Sequence, residues 1–267
     1  MPRARHLTFD FYWTQWTKRG YRAGVEFTPA VPLSLALFVA IVIGVAGAVV
    51  AGIYFAKARE PQFRKSRTLL LAILGIVAWN SFFVALSGSG YLVRHPDRGI
   101  PLLFVCMNIG ALAFGLSPIG RSLAVNVPLQ ALVLFQGFRL PLELVLHWWS
   151  RQGTIPETMT WTGQNFDILT GIMAIAFFPF AARFKWMAWM VNIAGFALLV
   201  NVMRVTVLSS PLAFGWPVQP KLQLILHFPY LLIGPTCIAG ALAGHVVLTR
   251  ALTISSGAVN RPQFMKP

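Results

Sequence analysis

The chain has 267 residues, of which 57% are hydrophobic and only 11% carry a charge. A soluble domain has about 25% charged residues, so this chain has too little polar surface to face water on all sides. Several apolar runs reach the length of about 20 residues that a helix needs to cross a bilayer. The composition excludes a soluble globular protein and predicts an all-α, polytopic transmembrane helix bundle with no soluble domain.

Basic residues outnumber acidic residues by 22 to 7, which gives a formal net charge of +15. They lie in short segments beside apolar runs rather than in a compact basic domain, so nucleic acid is not expected as a partner. Flanking basic residues are typical of topology signals and of contact with anionic lipids. The lipid bilayer, with anionic lipids at the basic loops, is therefore the predicted partner. A membrane protein partner or a homo-oligomer stays open.

Residues 1–28 form a basic and aromatic segment without an apolar core, so they are not a cleavable signal peptide. The stretch FYWTQW, flanked by arginines and lysines, carries amphipathic rings that favour the headgroup region. The segment is predicted to be an interfacial N-terminal arm. A disordered basic tail is the alternative.

About seven apolar segments follow and predict one transmembrane bundle over residues 29–252, with a short basic tail over residues 253–267. The stretch SSPLAFGWPVQPK, between the last two segments, is too rich in Pro and Gly to span. The predicted spans are residues 31–55, 68–86, 100–116, 123–149, 166–182, 186–208 and 222–248.

The distribution of basic residues indicates an orientation. With seven spans, the N-terminal arm lies on the same side as the loops after spans two, four and six. Those loops hold four basic residues and the opposite side holds eleven; with the arm's five, the ratio becomes nine to eleven. Because cytoplasmic segments are richer in Lys and Arg, the count favours the N-terminus outside and the C-terminus inside.

The fourth span contains the stretch FRLPLELVLHWW, which carries three ionisable residues. At about 100° per residue, Gln136, Arg139, Glu143 and His147 fall within roughly 80° of arc and form one polar stripe. A charge at mid-bilayer costs at least about 2.5 kcal/mol, so these side chains are expected to face protein or water. Pro141 leaves the carbonyl of residue 137 without its helical donor, which predicts a kink.

Two interpretations of this stripe stay open. In the first, Arg139 and Glu143, four residues apart, form a structural ion pair, and His147 lies at the interface beside Trp148 and Trp149. In the second, the stripe lines a polar cavity or a proton relay, a common use of ionisable residues inside membranes.

Polar residues from three other spans are predicted at the same depth as Glu143 and His147. We expect Arg204 to pair with Glu143, and His147 to approach His227, beneath the loop TIPETMTWTGQNFD. Asp167 has the alternative role of a helix N-cap, where the helix dipole favours an acid. The candidate cavity residues are Gln136, Arg139, Glu143, His147, Asp167, Asn201, Arg204 and His227.

Two histidines raise the alternative of a metal or haem site formed by His147 and His227. No HxxxH, HExxH or CxxCH motif occurs, and Cys106 and Cys237 have neither disulfide nor zinc spacing. His245 lies about 27 Å from His227 at about 1.5 Å per helical residue, so these two cannot share a metal. No cofactor is therefore predicted.

The second half of the chain, over roughly residues 127–252, resembles a family of bacterial integral membrane proteins with no established activity. The resemblance rests on FRLPLELVLHWWSRQGTIPETMTWTGQNFDILTGI and VNIAGFALLVNVMRVTVLSSPLAFG. These stretches share with the family an Arg and a Glu before a G-x-x-P-x-x-M-T loop, followed by an N-F-D helix start. The resemblance implies a location in the bacterial cytoplasmic (inner) membrane and indicates no particular chemistry.

The leading functional hypothesis is a small transporter or channel-like protein with an outward-facing polar cavity lined by Arg139, Glu143 and His147. In this hypothesis Arg139 neutralises Glu143, while Glu143 and His147 exchange protons or attract a cation. One alternative is a membrane-embedded redox or metal-binding subunit that uses His147 and His227. The other is a non-catalytic membrane scaffold or assembly protein. Whether the protein is an enzyme stays open, and a non-enzymatic role is the leading expectation.

Overall fold

The computed structural model of the protein describes residues 27–259. This part of the chain is helical and contains no strand. The predicted arm lies outside the described residues except for Phe27 and Thr28, and the predicted tail lies outside them from residue 260 onward. The helices are α1 (Pro32–Ala56), α2 (Gln62–Gly88), α3 (Tyr91–Arg94), α4 (Pro96–Leu116), α5 (Pro118–Asn126), α6 (Leu129–Phe135), α7 (Arg139–Arg151), α8 (Ile168–Phe177), α9 (Lys185–Ser209) and α10 (Ala239–Val259).

Six helices in the described part are long and apolar enough to cross a membrane. Their outer faces carry large apolar side chains; on α2, for example, Leu70, Leu74 and Val77 are each more than half exposed. A continuous apolar surface of this kind suits lipid rather than water. The chain is therefore a helical multi-pass membrane protein. The six helices are Pro32–Ala56, Gln62–Gly88, Pro96–Leu116, Leu129–Arg151, Lys185–Ser209 and Tyr230–Ile254.

Four predicted spans correspond to single observed helices. Helices α1, α4 and α9 cover the first, third and sixth predicted spans. Helix α2 begins at Gln62 rather than at residue 68, because the basic stretch over residues 64–67 continues the helix instead of forming a loop. Within it, the Lys65 ammonium lies 3.3 Å from the ring centroid of Tyr54, a cation–π contact that ties α2 to the end of α1.

The fourth predicted span is wrong at its N-terminal end. Residues 123–126 belong to α5, which ends at Asn126. Val127 is extended (φ −91°, ψ 134°), as expected for a residue before proline. Since Pro128 cannot continue the preceding helix, the spanning segment begins at Leu129 instead of residue 123.

A kink lies in the middle of this spanning segment. The α-helical ladder of α6 changes to a 3-10 turn over Gln136–Phe138 before α7 begins. The turn includes Gly137, whose carbonyl loses its usual donor because Pro141 has no N–H. The α-helical ladder is therefore interrupted where Pro141 predicts it, and the 3-10 turn separates Gln136 from the start of α7 at Arg139.

The fifth predicted span, residues 166–182, is only partly helical. Helix α8 covers Ile168–Phe177 and continues as a 3-10 turn over Phe178–Phe180, which contains Pro179. At about 1.5 Å per residue the two pieces together measure about 20 Å, less than the hydrocarbon core of roughly 30 Å. This segment is consequently not among the six helices that are long enough to cross.

Helix α8 packs antiparallel against α6 and α7. Gly171 lies against the backbone of Leu140, and Ile175 lies against Gly137, so the residue numbers rise in one helix while they fall in the other. Helix α8 thus begins near the middle of the bundle. Residues 152–167 return from the end of α7 into the bundle interior before α8 starts.

The last span begins at Tyr230, later than the predicted residue 222. Residues 222–229 form an irregular segment with one short 3-10 turn. From Tyr230 the chain passes through a second 3-10 turn and then a π turn over Gly234–Ile238 before α10. The breaks lie at Pro229 and Pro235, because neither residue can donate to the helical ladder.

Hydrogen bonds define the two ends of the bundle. At one end, the Ala30 end, the backbone N–H of Ala30 donates to the hydroxyl of Tyr230 (2.9 Å). The N-terminus of α1 and the C-termini of α2, α7 and α9 lie at this end. At the opposite end, the Ser117 end, Arg250 Nη1 donates to the carbonyl of Ser117 (3.0 Å).

Candidate functional site

A cavity of about 80 Å³ lies inside the bundle. It reaches from Leu222, near the Ala30 end, to Arg139 in the middle of the bundle. Its polar wall contains Arg139, Glu143 and Asp167, whereas most of the remaining wall is apolar. An apolar cavity with a few converging polar groups is the usual form of a small-molecule site. Among the apolar lining residues are Phe83, Met107, Leu142, Leu199, Val202 and Ile238.

Arg139 lies at the first position of α7 and is only 1% exposed. Its Nη1 donates to Asp167 Oδ1 (2.8 Å) and to the carbonyl of Gly195 on α9 (3.0 Å). Its Nε and Nη2 have no hydrogen-bond partner within residues 27–259. The ion pair that we expected between Arg139 and Glu143 is therefore replaced by a pair between Arg139 and Asp167.

Asp167 occupies the N-cap position of α8, which agrees with the predicted helix start. Its side chain, however, makes no cap bond to the helix backbone. The carboxylate Oδ1 accepts from Arg139 and from the Thr170 hydroxyl (3.0 Å), and the Asp167 backbone N–H donates to Asn165 Oδ1 (3.0 Å). Asp167 is thus the counter-charge of Arg139 rather than a simple cap.

Glu143 lies one helical turn after Arg139 and is 2% exposed. Both carboxylate oxygens accept from Asn165 Nδ2 at 2.9 Å, and the same amide donates to the carbonyl of Met159 (3.1 Å). Within the described part of the chain Glu143 forms no salt bridge. The predicted pair between Arg204 and Glu143 is wrong, since Asn165 occupies that position.

Arg204 and Asn201 instead anchor the loop over residues 154–167. The Asn201 amide donates to the backbone carbonyl of Gln164 (2.6 Å), and Arg204 Nη2 donates to Gln164 Oε1 (3.2 Å). Arg204 also lies over the Trp216 ring, 5.5 Å from its centroid. These two residues thus bind the loop that carries Asn165 into the bundle, and they do not line the cavity.

The two predicted site histidines contact different aromatic rings. His147 stacks on Trp161 of the loop, with centroids 4.2 Å apart, and His227 stacks on Phe27, with centroids 3.8 Å apart. Burial lowers the pKa of His227 to about 4. The predicted approach of His147 to His227 is therefore replaced by one ring stack for each residue. Neither histidine lines the cavity.

Gln136, the first residue of the predicted stripe, is fully buried and faces α10. Its Nε2 donates to the carbonyl of Ala241 at 3.4 Å, while its Oε1 has no hydrogen-bond partner in the described chain. The stripe thus faces protein at Gln136, Arg139 and Glu143, as expected, and only His147 is partly exposed.

Sequence reasoning missed three polar residues at this site. Asn165 holds Glu143, and His245 on α10 is 2% exposed and bonds with Asn192 on α9 (3.0 Å). A histidine in the middle of an apolar span is itself a functional signal. In the sequence His245 stands out only as a possible metal partner of His227, because spacing along the chain gives no link between it and the fourth span.

The charged groups of the cavity wall divide into one ion pair and one separate acid. Arg139 and Asp167 neutralise each other, and Glu143 is left with an amide donor. In apolar surroundings a lone carboxyl group is stable either as the neutral acid or beside a cation. The arrangement is therefore suited to exchanging a proton or holding a cation at Glu143.

The fold and the cavity define the class as a helical multi-pass membrane protein with a partly polar interior. Comparison with protein-family models, with curated proteins and with solved structures gives no match for this chain. A more specific function must consequently be argued from the residues of the cavity wall.

Proposed function

We propose that the protein is a small transporter or channel-like protein of a bacterial cytoplasmic (inner) membrane, in which Glu143 exchanges a proton or binds a cation. One observation carries the proposal: Glu143 lies in the cavity wall without a basic partner, while Arg139 beside it is already bonded to Asp167. A core built only for stability has no need of this second acid, because an unpaired ionisable group inside a membrane costs several kcal/mol.

The proposal includes a seventh crossing made of two halves. Residues 152–167 return from the Ala30 end to the middle of the bundle as largely irregular backbone, and α8 continues towards the Ser117 end. Irregular backbone is tolerated at membrane depth where protein or a cavity surrounds it, and transporters place binding sites at such breaks. Asn165 and Asp167, which bond Glu143 and Arg139, lie at this break.

The orientation of the cavity follows from the distribution of basic residues. We infer that the Ser117 end is cytoplasmic, because Lys and Arg are more numerous beyond that end and cytoplasmic segments are richer in basic residues. In this orientation the N-terminus and the Ala30 end are outside, and the C-terminus is inside. The cavity then faces outward.

A hydrophobic carbodiimide tests the chemical state of Glu143, because such reagents modify protonated carboxyl groups in apolar surroundings. We expect mass spectrometry to find the adduct on Glu143 in membranes, to lose it in Glu143→Gln, and to find it unchanged in Glu157→Gln. Glu157 is the matched control, since it lies exposed on the loop. Protection of Glu143 by a particular monovalent cation would identify that cation as the ligand. Absence of any adduct at Glu143 would contradict the proposal.

Access of water to the cavity separates a transporter from a scaffold. In a background with Cys106→Ala and Cys237→Ala, a cysteine at Thr206, which lines the cavity, should react with a charged maleimide added outside intact cells. A cysteine at Val200, on the outer face of the same helix, should stay protected by lipid. Equal protection of both positions, with labelling only after denaturation, would favour the scaffold.

The redox or metal-binding alternative has no observation in its favour. It needs His147 and His227 as ligands, and each ring is stacked on a different aromatic side chain. Residues 27–259 contain no group of three or more His, Cys, Asp or Glu residues that could hold a metal ion. This alternative stays a prediction, which absorption spectroscopy and metal analysis of the purified protein would test.

A further inference from the structure

His245 is a buried ionisable group that the proposed function does not use. It lies on α10, is 2% exposed, and follows Ala241 by one helical turn. Its Nδ1 lies 3.0 Å from Asn192 Oδ1 on α9, and its Nε2 has no hydrogen-bond partner in the part of the chain that the structure describes. A titratable group with a free nitrogen inside a membrane bundle is a candidate for a role in proton movement.

A chain of hydrogen bonds fixes which nitrogen of His245 carries the proton. The hydroxyl of Thr249 donates to the backbone carbonyl of His245 (2.8 Å), so it accepts from Asn192 Nδ2 (2.7 Å). Asn192 therefore presents its oxygen to His245, and Nδ1 must be the N–H donor. In the neutral ring Nε2 then carries a lone pair that can accept a proton.

The free Nε2 lies beside the turn of α9 to which Arg139 bonds. A side chain at Gly195 would lie 3.3 Å from His245 Nε2, and the carbonyl of Gly195 accepts from Arg139 Nη1. Gly195 thus allows His245 and Arg139 to approach the same turn of α9. Gln136 reaches α10 one turn before His245, at the carbonyl of Ala241. Its Oε1, like Arg139 Nε and Nη2, has no partner among residues 27–259.

We propose that His245 is a second proton-carrying residue, which receives the proton that Glu143 releases and passes it towards the Ser117 end. The proposal rests on the proposed function, since it needs Glu143 to be a proton-exchanging acid. In this step the O–H bond of Glu143 breaks, and its electron pair stays on the carboxylate. Water molecules relay the proton, and a new N–H bond forms at His245 Nε2.

The transfer leaves the net charge of the buried cluster unchanged. Before it, Glu143 and His245 are neutral, and Arg139 and Asp167 cancel each other. Afterwards a carboxylate and an imidazolium are added to that pair, so the sum is again zero. Arg139 is the charged group that acts directly on His245, and its positive charge opposes the imidazolium, whereas Asn192 on α9 is uncharged. The carboxylate formed at Glu143 balances the new positive charge, so no additional net charge is buried, while the repulsion from Arg139 and the lost hydration of the ring remain costs of the step.

The structure also offers hydrogen-bond partners for the imidazolium. Its Nδ1–H keeps the bond to Asn192 Oδ1, which accepts in both protonation states. In this proposal the new Nε2–H donates to the unpartnered Oε1 of Gln136, which reaches α10 one turn before His245. Gln136 therefore acts as a positioning residue. This role explains why a fully buried amide keeps a free acceptor beside α10.

Proton flux into proteoliposomes tests the proposal. The purified protein is reconstituted with a pH-sensitive dye inside, and a potassium diffusion potential drives protons inward. We expect the wild type to acidify the interior and His245→Asn, whose amide can still donate to Asn192, to slow this flux about a hundredfold. The matched control is His95→Asn, which removes an exposed histidine that does not line the cavity and should leave the flux unchanged. Thermal unfolding of each variant confirms that it is folded.

The tautomer gives a second measurement that needs no flux. Nitrogen NMR of histidine-labelled protein in nanodiscs, with the His245 signal assigned from His245→Asn, should show the Nδ1–H form. A neutral ring protonated on Nε2, a wild type that conducts no protons, or full flux in His245→Asn would each overturn the role of His245. Carbodiimide labelling of Glu143 and cysteine access to the cavity do not involve His245. They would still hold if this inference alone were wrong.

Discussion

The buried ion pair between Arg139 and Asp167 allows a direct test of the electrostatics of the site. Asp167→Asn keeps the shape of the side chain but removes the negative charge that lies 2.8 Å from Arg139 Nη1. The guanidinium is then left inside the bundle with the carbonyl of Gly195 as its remaining strong acceptor. We expect this single substitution to destabilise the folded protein.

The expected loss of unfolding free energy depends on whether Glu143 ionises in the variant. Breaking a buried pair by removing one partner costs about 3–5 kcal/mol, because the other charge is left uncompensated. Glu143 can release its proton and become the new counter-charge, which limits the loss. We therefore expect about 3 kcal/mol for Asp167→Asn and about 5 kcal/mol when Glu143→Gln is added. Glu143→Gln alone should cost less than this difference.

The assay is the free energy of unfolding in bicelles, measured for the two single variants and the double variant as a cycle. Lys57 and Glu60 provide the matched control, since their salt bridge is equally short (2.7 Å) but its side chains are 23% and 36% exposed. Glu60→Gln should cost at most about 1 kcal/mol. Equal losses for Asp167→Asn and Glu60→Gln, or strict additivity in the cycle, would refute the reasoning.

Two further predictions concern pH and packing near the site. Burial lowers the pKa of His227 from its ordinary 6.5 to about 4, so acid protonates the unfolded chain first. Stability should be full above pH 6.5 and should fall by up to about 3 kcal/mol towards pH 4, a dependence that thermal unfolding of His227→Asn should lack. Gly171→Ala places a methyl group against the Leu140 backbone and should cost at least about 2 kcal/mol, whereas Gly47→Ala meets open space and should not destabilise the protein. Equal melting temperatures would contradict this.

The helices could be predicted where the apolar run has clear ends. Helix α9 was predicted to within a residue, since Lys185 precedes its apolar run and Pro211 follows it. The last span was not, because residues 222–229 are as apolar as a helix. Hydropathy indicates which residues avoid water. It does not distinguish a helix from an irregular segment, because both can be packed inside a bundle. Pro229 and Pro235 indicate that the helix is interrupted there. They do not indicate whether the span begins before or after the interruption.

The polar stripe was predictable for a geometric reason, whereas its partners were not. Helical periodicity fixes the relative directions of Arg139 and Glu143 on one helix. The true partner of Arg139 is Asp167, whose position depends on how the intervening chain returns into the bundle. The contact of His245 with Asn192 could not be predicted for the same reason, since the two residues lie on different helices. Pairs across helices leave no mark in the spacing of residues along the chain.

The incomplete fifth span and the separate acid are one feature of the fold. Had residues 152–167 formed a turn at the Ala30 end, followed by a full-length helix, Asp167 would lie at that end and Arg139 would have Glu143 as its nearest acid. The irregular return instead brings Asp167 and Asn165 to the middle of the bundle, where one binds Arg139 and the other binds Glu143. The N-terminus of α8 starts at the same depth and favours negative charge there. The break in the helix therefore gives Arg139 a different acid as its partner and leaves Glu143 with an amide donor instead of a basic one.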